Sequence, residues 1–359
     1  MNYTQRQKNL MHALSEKKLD AIMVTHRANI LYLCGFSGSA GVLVARGAGW
    51  VLYTDGRYTE QARQQAQGVR VTISKGSPLV AAGAHLAKAA PGAAVAIEAD
   101  HLSVAARRVL AGSLSKRSRI REVTGLVERL RMVKEPEEIK RIGAAVRAGA
   151  ALLDRALATI APGVAETTVA AEIEYAARRA GVQGMSFDTI VAAGPRSALP
   201  HGLASGQPIP RQGFVVLDFG VILADYCSDM TRTVHVGHPK PAMRAAYQAV
   251  LEAQLAAISA VRAGAQAGNV DRAARQSLRR TKLARFFTHS TGHGVGLEIH
   301  EPPRLGRGGT EVLQAGMVIT VEPGVYIPGE GGVRIEDMLL VTERGADVLT
   351  PAPKEMILL

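Results

Sequence analysis

Runs of apolar residues divide the chain into short strand-like segments and longer segments with helical spacing. In the first 130 residues, these runs predict a helix over residues 6–18, strands over 21–24, 30–33, 42–45 and 49–54, and a helix over 57–67. Strand and helix patterns go on alternating up to residue 127. Because such alternation is typical of helices packed on a sheet, we predict a small α/β domain over residues 1–130.

A second pattern begins after residue 131 and repeats once. Pro136, flanked by glutamates, suits the first turn of a helix, and apolar residues at helical spacing extend that helix to Pro162. The remaining pattern predicts helices over 166–179, 242–261 and 270–283 and strands over 186–193, 317–325 and 333–341. Each half therefore has two helices followed by strands that carry acidic residues. We predict a pseudo-twofold α/β domain over residues 131–359, with its site between the halves.

The composition fits a globular protein with a large buried core and narrows the classes of partner. The 359 residues are 47% apolar, and 43 basic against 31 acidic side chains give a net charge of +12. The basic residues are scattered and are not interleaved with aromatic residues, so we expect no nucleic-acid partner. No apolar run reaches the ~18 residues of a membrane span, so we also expect no membrane partner.

Cysteine usage and the first residues predict a cytoplasmic protein. Cys34 and Cys227 are far apart in sequence, and neither belongs to a Cys-x-x-Cys pair. Neither a disulfide framework nor a cysteine–zinc site is therefore predicted. Residues 1–6 do not begin a signal-peptide pattern, and a reducing cytoplasm is the expected location.

The most informative stretch carries two aspartates on neighbouring β-rich runs. These runs flank residues 222–225 and predict an antiparallel hairpin. With the turn centred between Leu223 and Ala224, Asp218 would lie directly opposite Asp229, with Cβ atoms roughly 5 Å apart. Two like charges there destabilise a bare strand pair, and Asp218 follows an apolar run. A divalent cation between the carboxylates is therefore predicted, and two solvated acids on an edge hairpin are the alternative.

The second half supplies three more potential metal ligands. Glu322 ends an apolar strand, Glu336 lies on the returning strand, and His293 lies among glycines that allow close backbone approach to a bound group. An acid in an apolar strand is costly unless it is paired or binds metal, and for Glu336 an ion pair with Arg334 is the alternative. Four carboxylates and one imidazole indicate an oxygen-rich dinuclear site, which favours manganese, cobalt, iron or zinc over copper.

The N-terminal domain shows no comparable cluster of potential ligands along the sequence. Its four histidines are isolated from other metal-ligating residues in the sequence. We therefore predict that they are surface or packed residues rather than ligands: His12, His26, His85 and His101.

In this order and spacing, the acidic motifs resemble those of the pita-bread metallopeptidases. The matching segments are residues 218–233, 291–294, 322–324 and 334–337. Residues 35–41 and 54–58 resemble the creatinase-like N-terminal domain of aminopeptidases P. The resemblance covers nearly the whole chain and implies a small creatinase-like α/β domain followed by a pita-bread catalytic domain. Asp225 departs from the family, which usually has glycine at that position.

The resemblance implies the roles of the five ligands. Asp218 would hold one metal ion and His293 the other, and Asp229 and Glu336 would bridge the two. Glu322 would hold the His293-bound ion and act as the general base. The nucleophile would be a metal-bridged water or hydroxide that attacks the scissile carbonyl. Manganese is the expected metal, with zinc or cobalt as alternatives.

The resemblance also assigns four further residues around the metal ligands. His201 and His300 would stabilise the tetrahedral intermediate and shuttle protons. His289 would lie near the proline side of the substrate, and Arg334 would orient the groups behind the ligands.

The implied activity is hydrolysis of the Xaa-Pro bond at the N-terminus of small peptides with proline in the second position. The N-terminal resemblance, over residues 38–41 and 55–58, favours an Xaa-Pro aminopeptidase. A prolidase that acts only on Xaa-Pro dipeptides is the alternative, because its chemistry is identical. A non-catalytic pita-bread binding module is a more distant alternative, and the family implies a homodimer.

Overall fold

The computed structural model describes residues 1–359, and the chain divides into two units, Met1–Arg131 and Met132–Leu359. The first unit contains six strands, which are β1 (Ala21–Val24), β2 (Val42–Arg46), β3 (Gly49–Asp55), β4 (Arg70–Ser74), β5 (Ala94–Glu98) and β6 (Arg119–Val123). They form one sheet in the order β4-β3-β2-β1-β5-β6. Within it, β1, β5 and β6 are parallel neighbours, so their carboxyl ends meet at one edge.

Six helices belong to this part of the chain. They are α1 (Tyr3–Glu16), α2 (Arg27–Cys34), α3 (Thr59–Gln65), α4 (Pro78–Ala89), α5 (Val104–Ser113) and α6 (Leu126–Met132). The strand predicted over residues 30–33 is wrong, because these residues lie inside α2. The carboxylate of Glu98, on β5, accepts hydrogen bonds from the backbone N–H groups of Thr25 (2.6 Å) and His26 (2.9 Å) at the start of this helix. A helix start fixed by a residue so distant in sequence leaves no local signal.

The second unit contains five helices and thirteen strands. The helices are α7 (Pro136–Ala150), α8 (Leu153–Thr159), α9 (Glu166–Arg179), α10 (Pro241–Ser259) and α11 (Ala267–Arg280). The strands of its first half are β7 (Gly184–Met185), β8 (Ile190–Ala193), β9 (Gly213–Phe219), β10 (Val221–Leu223), β11 (Tyr226–Cys227) and β12 (Met230–Val236). Those of its second half are β13 (Gly292–Gly294), β14 (Glu301–Leu305), β15 (Val318–Val321), β16 (Gly324–Ile327), β17 (Gly331–Arg334), β18 (Asp337–Val341) and β19 (Ala346–Val348).

The two halves of this unit have the same arrangement of helices and sheet. In the first half, α8 and α9 pack beside the sheet β12-β9-β8, and in the second half α10 and α11 pack beside the sheet β14-β13-β15-β18-β19. Each half has its own apolar core, represented by the fully buried Val191 and Leu217 in the first and Val250 and Ile319 in the second. This arrangement confirms the predicted α/β fold with a pseudo-twofold second domain. None of the helices is both long and apolar enough to cross a membrane.

Several predicted elements are interrupted in the structure. The helix expected to run from Pro136 to Pro162 breaks after Ala150 and resumes at Leu153. The two strands expected over 317–325 and 333–341 each divide into two, at Glu322 and Glu336. The two strand interruptions fall at predicted ligands, where the backbone leaves the regular strand and the acidic side chain is free to point away from the sheet face.

The predicted register of the β9–β12 hairpin is wrong by two residues. Asp218 lies opposite Thr231 rather than Asp229, because the turn is centred between Ala224 and Asp225, which have φ angles of 50° and 71°. Two consecutive positive φ angles characterise the tight two-residue turns of β-hairpins. A shift of two residues keeps side chains on the same face, so Asp229 remains a diagonal neighbour of Asp218.

Candidate metal centre

All nine residues assigned to the site from the sequence line one cavity of about 780 Å³ in the second unit. Its walls come from both halves, since Asp218 lies on β9 and Asp229 directly precedes β12, whereas His293 is the middle residue of β13. The remaining two ligands, Glu322 and Glu336, lie where the strands of the second half are interrupted. The fold thus brings the five predicted ligands to one cavity from five separate places on its strands.

The two glutamates face each other across an opened strand pair. Val321 pairs with Asp337 on one side, and Gly324 pairs with Arg334 on the other, so Glu322 and Glu336 occupy directly opposed positions. Their backbones separate there, because the N–H of Glu322 donates to Thr291 O (2.8 Å) and that of Glu336 donates to Thr231 O (3.1 Å). The second bond ties the acids of the second half to the β9–β12 hairpin of the first.

His293 presents one ring nitrogen to the acids. Its Nε2 lies 3.6 Å from Asp229 Oδ2 and 3.8 Å from Glu322 Oε1, and the ligand atoms of Asp229, His293 and Glu336 all lie within 4.8 Å of one another. Its Nδ1 lies 3.0 Å from the carbonyl oxygen of Gly294, which holds the proton on Nδ1 and leaves the Nε2 lone pair for a metal. Burial lowers the pKa of His293 to about 4, so the imidazole is in its neutral, metal-ligating form.

The carboxylates are crowded together without enough positive charge. Burial, and then repulsion from Glu336 and Asp218, raises the pKa of Asp229 well above its usual range. Burial, and then repulsion from Glu322 and Asp218, does the same for the pKa of Glu336. Burial also raises the pKa of Glu322 to about 8.

One carboxylate oxygen at the centre of this cluster is not satisfied by the chain. Asp218 Oδ1 is buried and has no hydrogen-bond partner, and an unsatisfied buried polar atom is costly. Divalent cations would satisfy that oxygen and neutralise the neighbouring acids. Because four carboxylates and one imidazole also match the ligands preferred by manganese, zinc and cobalt, the residues fit a pair of such ions.

Arg334 is the buried positive charge of the site. Its guanidinium contacts the Asp218 carboxylate and donates hydrogen bonds to Thr231 Oγ1 (3.0 Å) and Tyr326 OH (2.6 Å). Thr231 Oγ1 donates in turn to Glu336 Oε2 (2.7 Å). Arg334 therefore pairs directly with Asp218 and not with Glu336, which was the alternative. It is linked to Glu336 only through the hydroxyl of Thr231.

Thr231 and Tyr326 were not found from the sequence. Thr231 lies directly opposite Asp218, so the correct hairpin register would have singled it out. Tyr326 lies on β16, and no sequence pattern distinguishes it from a core tyrosine.

The three predicted histidines differ in their surroundings. His289 Nε2 lies 2.8 Å from Tyr326 OH, and its Nδ1 lies 2.8 Å from Ser290 O. Burial, and then the Arg334 charge, lowers the pKa of His289 to about 4, so this ring is neutral. His300 packs edge-on against His293, with ring centroids 4.5 Å apart. His201 and His300 are exposed to the cavity, where they can reach a bound peptide.

We expect the metal-free protein to lose stability as the pH rises from about 6.5 to about 8. Glu322, whose pKa is raised from 4.5 to about 8, binds more protons in the folded than in the unfolded state across this window. The free energy of unfolding therefore falls with pH, and Asp229 and Glu336 act in the same direction. His289 and His293, with lowered pKa values, oppose this trend only below 6.5.

Urea denaturation with a chelator, repeated across this pH range, measures the effect. Bound manganese competes with the protons, so the metal-loaded protein should not show the fall. A free energy of unfolding that is flat or rises with pH in the chelator would contradict this account of the carboxylate cluster.

A pseudo-twofold α/β domain with a carboxylate-rich metal centre between its halves defines the class of pita-bread metallopeptidases. The model of metallopeptidase family M24 matches residues 140–343, and that of the creatinase/prolidase N-terminal domain matches residues 6–133. The chain therefore belongs to metallopeptidase family M24, and it carries a creatinase-like N-terminal domain. Both statements confirm the resemblance found in the sequence.

Three relatives align over nearly the whole chain. The structure of an Xaa-Pro dipeptidase from Bacillus anthracis is 39% identical, with a TM-score of 0.96 and coverage of 100% of both chains. An Xaa-Pro dipeptidase from Pyrococcus furiosus is 36% identical over 98% of this chain and 99% of its own. The structure of an X-Pro aminopeptidase from Thermotoga maritima MSB8 is 33% identical, with a TM-score of 0.88 and coverage of 97% of this chain and 100% of that one.

Proposed function

We propose that the chain is a dinuclear Xaa-Pro dipeptidase, which hydrolyses dipeptides with proline in the second position. The observation that carries this proposal is a single cavity lined by the five-ligand set and by Arg304, whose side chain is exposed. In an Xaa-Pro dipeptide the terminal carboxylate is on the proline, the residue that directly follows the scissile bond. In a longer peptide the terminal carboxylate lies further along the chain. The N-terminal motifs favour an Xaa-Pro aminopeptidase. The relatives that are named dipeptidases or prolidases support a dipeptidase better.

Arg304 is the cation suited to bind that carboxylate. The other cation that lines the cavity, Arg334, is buried and committed to Asp218, Thr231 and Tyr326. Arg304 lies on β14, near His300 in sequence, and lines the same cavity. A guanidinium can grip a carboxylate with two parallel hydrogen bonds, and a peptide extended beyond proline would have no charge at that position.

The five predicted ligands would together bind two divalent ions. Manganese is the expected metal, and zinc and cobalt are the alternatives. Asp218 would hold one ion, His293 and Glu322 the other, and Asp229 and Glu336 would bridge them. When bound, the ions supply Lewis-acid activation of water and of the scissile carbonyl. Glu322, at the cavity wall, would accept the proton that the water gives up.

The exposed histidines would act on the substrate itself. His201 and His300 project into the cavity from opposite halves, where they can donate hydrogen bonds to the developing oxyanion and a proton to the leaving nitrogen. His289 is held in position by Tyr326, which accepts from Arg334 and so donates its own proton to His289 Nε2. This fixed, neutral ring would pack near the proline of the substrate.

We infer a homodimer, as the family resemblance implies, and a cytoplasmic location. The two free cysteines, Cys34 and Cys227, are buried thiols, which suits a reducing compartment. Sedimentation velocity that gave only the 38.0 kDa mass of one chain would contradict the dimer.

The proposed function is tested with paired substrates, an Xaa-Pro dipeptide and an Xaa-Pro-Xaa tripeptide, and manganese-loaded enzyme with a chelated control. We expect cleavage of the dipeptide, and an Arg304→Met variant with kcat/KM for it lowered about 10- to 100-fold, because a hydrogen bond to a charged group contributes ~1.5–3 kcal/mol. Arg307→Met, two residues beyond the end of β14 and outside the cavity, is the matched control and should keep wild-type activity.

The outcomes of this experiment separate the alternatives. Cleavage of the tripeptide alone would establish an aminopeptidase instead. Failure to cleave either peptide with metal bound would favour a non-catalytic binding module. Equal losses for Arg304→Met and Arg307→Met would remove the proposed carboxylate contact.

His201→Ala should lower turnover more than it weakens metal binding. His201 lines the cavity without belonging to the ligand set, and general acid–base groups contribute roughly 10²–10⁴-fold to rates. Steady-state kinetics and calorimetric manganese titration measure the two effects separately. His238→Ala, an exposed histidine of the same unit that does not line the cavity, is the control. A His201→Ala variant with wild-type kcat and weakened metal affinity would show that His201 acts on the metal.

A further inference from the structure

Three metal-ligating side chains of the N-terminal unit converge at one edge of its sheet. His26 follows β1, His101 follows β5, and Glu128 lies in α6, after β6. Because β1, β5 and β6 are adjacent and parallel, these positions share the carboxyl edge of the sheet, where open α/β sheets bind their ligands. The expectation that this unit has no cluster of potential ligands is therefore wrong, because two of its four histidines lie in one.

The three side chains are close enough to share one ion. The imidazoles of His26 and His101 stack with ring centroids 3.6 Å apart and an interplanar angle of 1°. His101 Nε2 lies 3.0 Å from Glu128 Oε1, and the ligand atoms of all three residues lie within 4.8 Å of one another. The side chains of His101 and Glu128 are 25% and 15% exposed, so an ion can reach them from solvent.

A buried polar network holds the carboxylate of this cluster in place. Asn29 Nδ2 donates to Glu128 Oε1 (2.6 Å) and to Glu98 Oε1 (2.7 Å), and Asn29 Oδ1 accepts from Arg131 Nη1 (2.7 Å). Burial acts to raise the pKa of Glu128, but the hydrogen bonds from Asn29 and His101 lower it overall. The charge of Arg131 lowers the pKa of Glu128 further. Metal-binding carboxylates are commonly oriented by such hydrogen-bonded neighbours.

We propose that His26, His101 and Glu128 form a second divalent-metal site, suited to zinc and separate from the catalytic centre. Two imidazoles and one carboxylate are a ligand set that zinc uses in proteins, with the fourth position left to water. Zinc bound there would clamp the loops after β1 and β5 to α6. The lone pairs of parallel stacked rings do not converge on one point, so binding rotates the two imidazoles out of their stacked arrangement.

The proposal is tested by equilibrium dialysis of the full chain against micromolar zinc, followed by metal analysis. We expect the wild-type chain to hold one zinc ion more than His26→Gln, His101→Gln or Glu128→Gln. His12→Gln, an exposed histidine of the same unit paired with Glu16, should bind as much zinc as wild type. Xaa-Pro peptidase activity should be the same in all five proteins, because the clustered residues lie outside the cavity that contains the catalytic centre.

Crystals soaked in zinc locate the ion by anomalous scattering. A peak bounded by the two imidazoles and Glu128, with the rings no longer parallel, is the expected result. Equal zinc content in wild type and in the two histidine variants, or a soaked crystal with no peak at this cluster, would overturn the proposal.

Discussion

Replacing Glu336 with glutamine should abolish peptidase activity and stabilise the metal-free protein. Glutamine keeps the shape, and its amide oxygen can still accept the hydrogen bond from Thr231 (2.7 Å). It removes the charge that repels Glu322 and Asp218. The loss of several kcal/mol of metal-dependent stabilisation lowers kcat/KM about 10³-fold or more. Glutamine also avoids the cost of burying an ionisable carboxyl, so the free energy of unfolding in chelator should rise by about 1–3 kcal/mol.

Steady-state kinetics with added manganese and urea denaturation in chelator measure these two opposite effects. Asp229→Asn should behave in the same way, because Asp229 is equally crowded. Glu330→Gln, an exposed residue in the turn between β16 and β17, is the matched control and should change neither quantity. Wild-type turnover of Glu336→Gln in added manganese would disprove the bridging role.

Removing Arg334 should have the largest effect on stability. Its guanidinium is the buried countercharge of the carboxylate cluster and contacts Asp218, Thr231, Tyr326 and the carbonyl oxygen of Pro200. Breaking a buried ion pair from one side costs about 3–5 kcal/mol, so Arg334→Ala should lose about that much in chelator. Arg334→Lys should lose less, since it keeps the charge but not the planar fork.

The effect of bound metal on the stability of the variant distinguishes a countercharge role of Arg334 from ordinary packing. Bound divalent ions neutralise the same acids, so the destabilisation of Arg334→Ala should be smaller in manganese than in chelator. Arg344→Ala, at an exposed position, should change the free energy of unfolding by no more than about 0.5 kcal/mol under either condition. An Arg334→Ala variant as stable as wild type in chelator would contradict the countercharge role.

The β9–β12 hairpin shows which structural features a local sequence pattern can predict and which it cannot. The β-rich runs around Asp218 and Asp229 predict the strand pair and the shared face of the two acids. The register is wrong because Ala224 and Asp225 adopt positive φ angles, whereas the usual signals for such a turn are Asn-Gly and Asp-Gly. The site survives this error because side chains repeat their direction every second residue along a strand.

Features that depend on distant residues could not be found in the sequence. Residues 30–33 are apolar enough for a strand, and the N-terminus of α2 is fixed by Glu98, which is remote in sequence. His26 and His101 are similarly remote from each other and meet only because β1 and β5 are neighbours in the sheet. Sheet order is a global property, and no local pattern encodes it.

The preference for dipeptides or for longer peptides also could not be predicted from the sequence. The resemblance implies the same five ligands for both activities, so their motifs cannot separate them. Arg304 follows two prolines and belongs to no recognisable motif, and only the folded structure shows that it lines the cavity. The N-terminal motifs favoured the aminopeptidase, and the identities to the dipeptidases support the other reading.

The most direct test of the proposed dinuclear centre is manganese anomalous diffraction from crystals of the active protein. Two peaks are expected, one beside Asp218 and the other beside His293 and Glu322, with Asp229 and Glu336 reaching both. Activity toward the Xaa-Pro dipeptide should disappear with chelation and return with occupancy of these two positions. Full dipeptide hydrolysis by protein whose crystals show no metal, or only one ion, at these ligands would contradict the account.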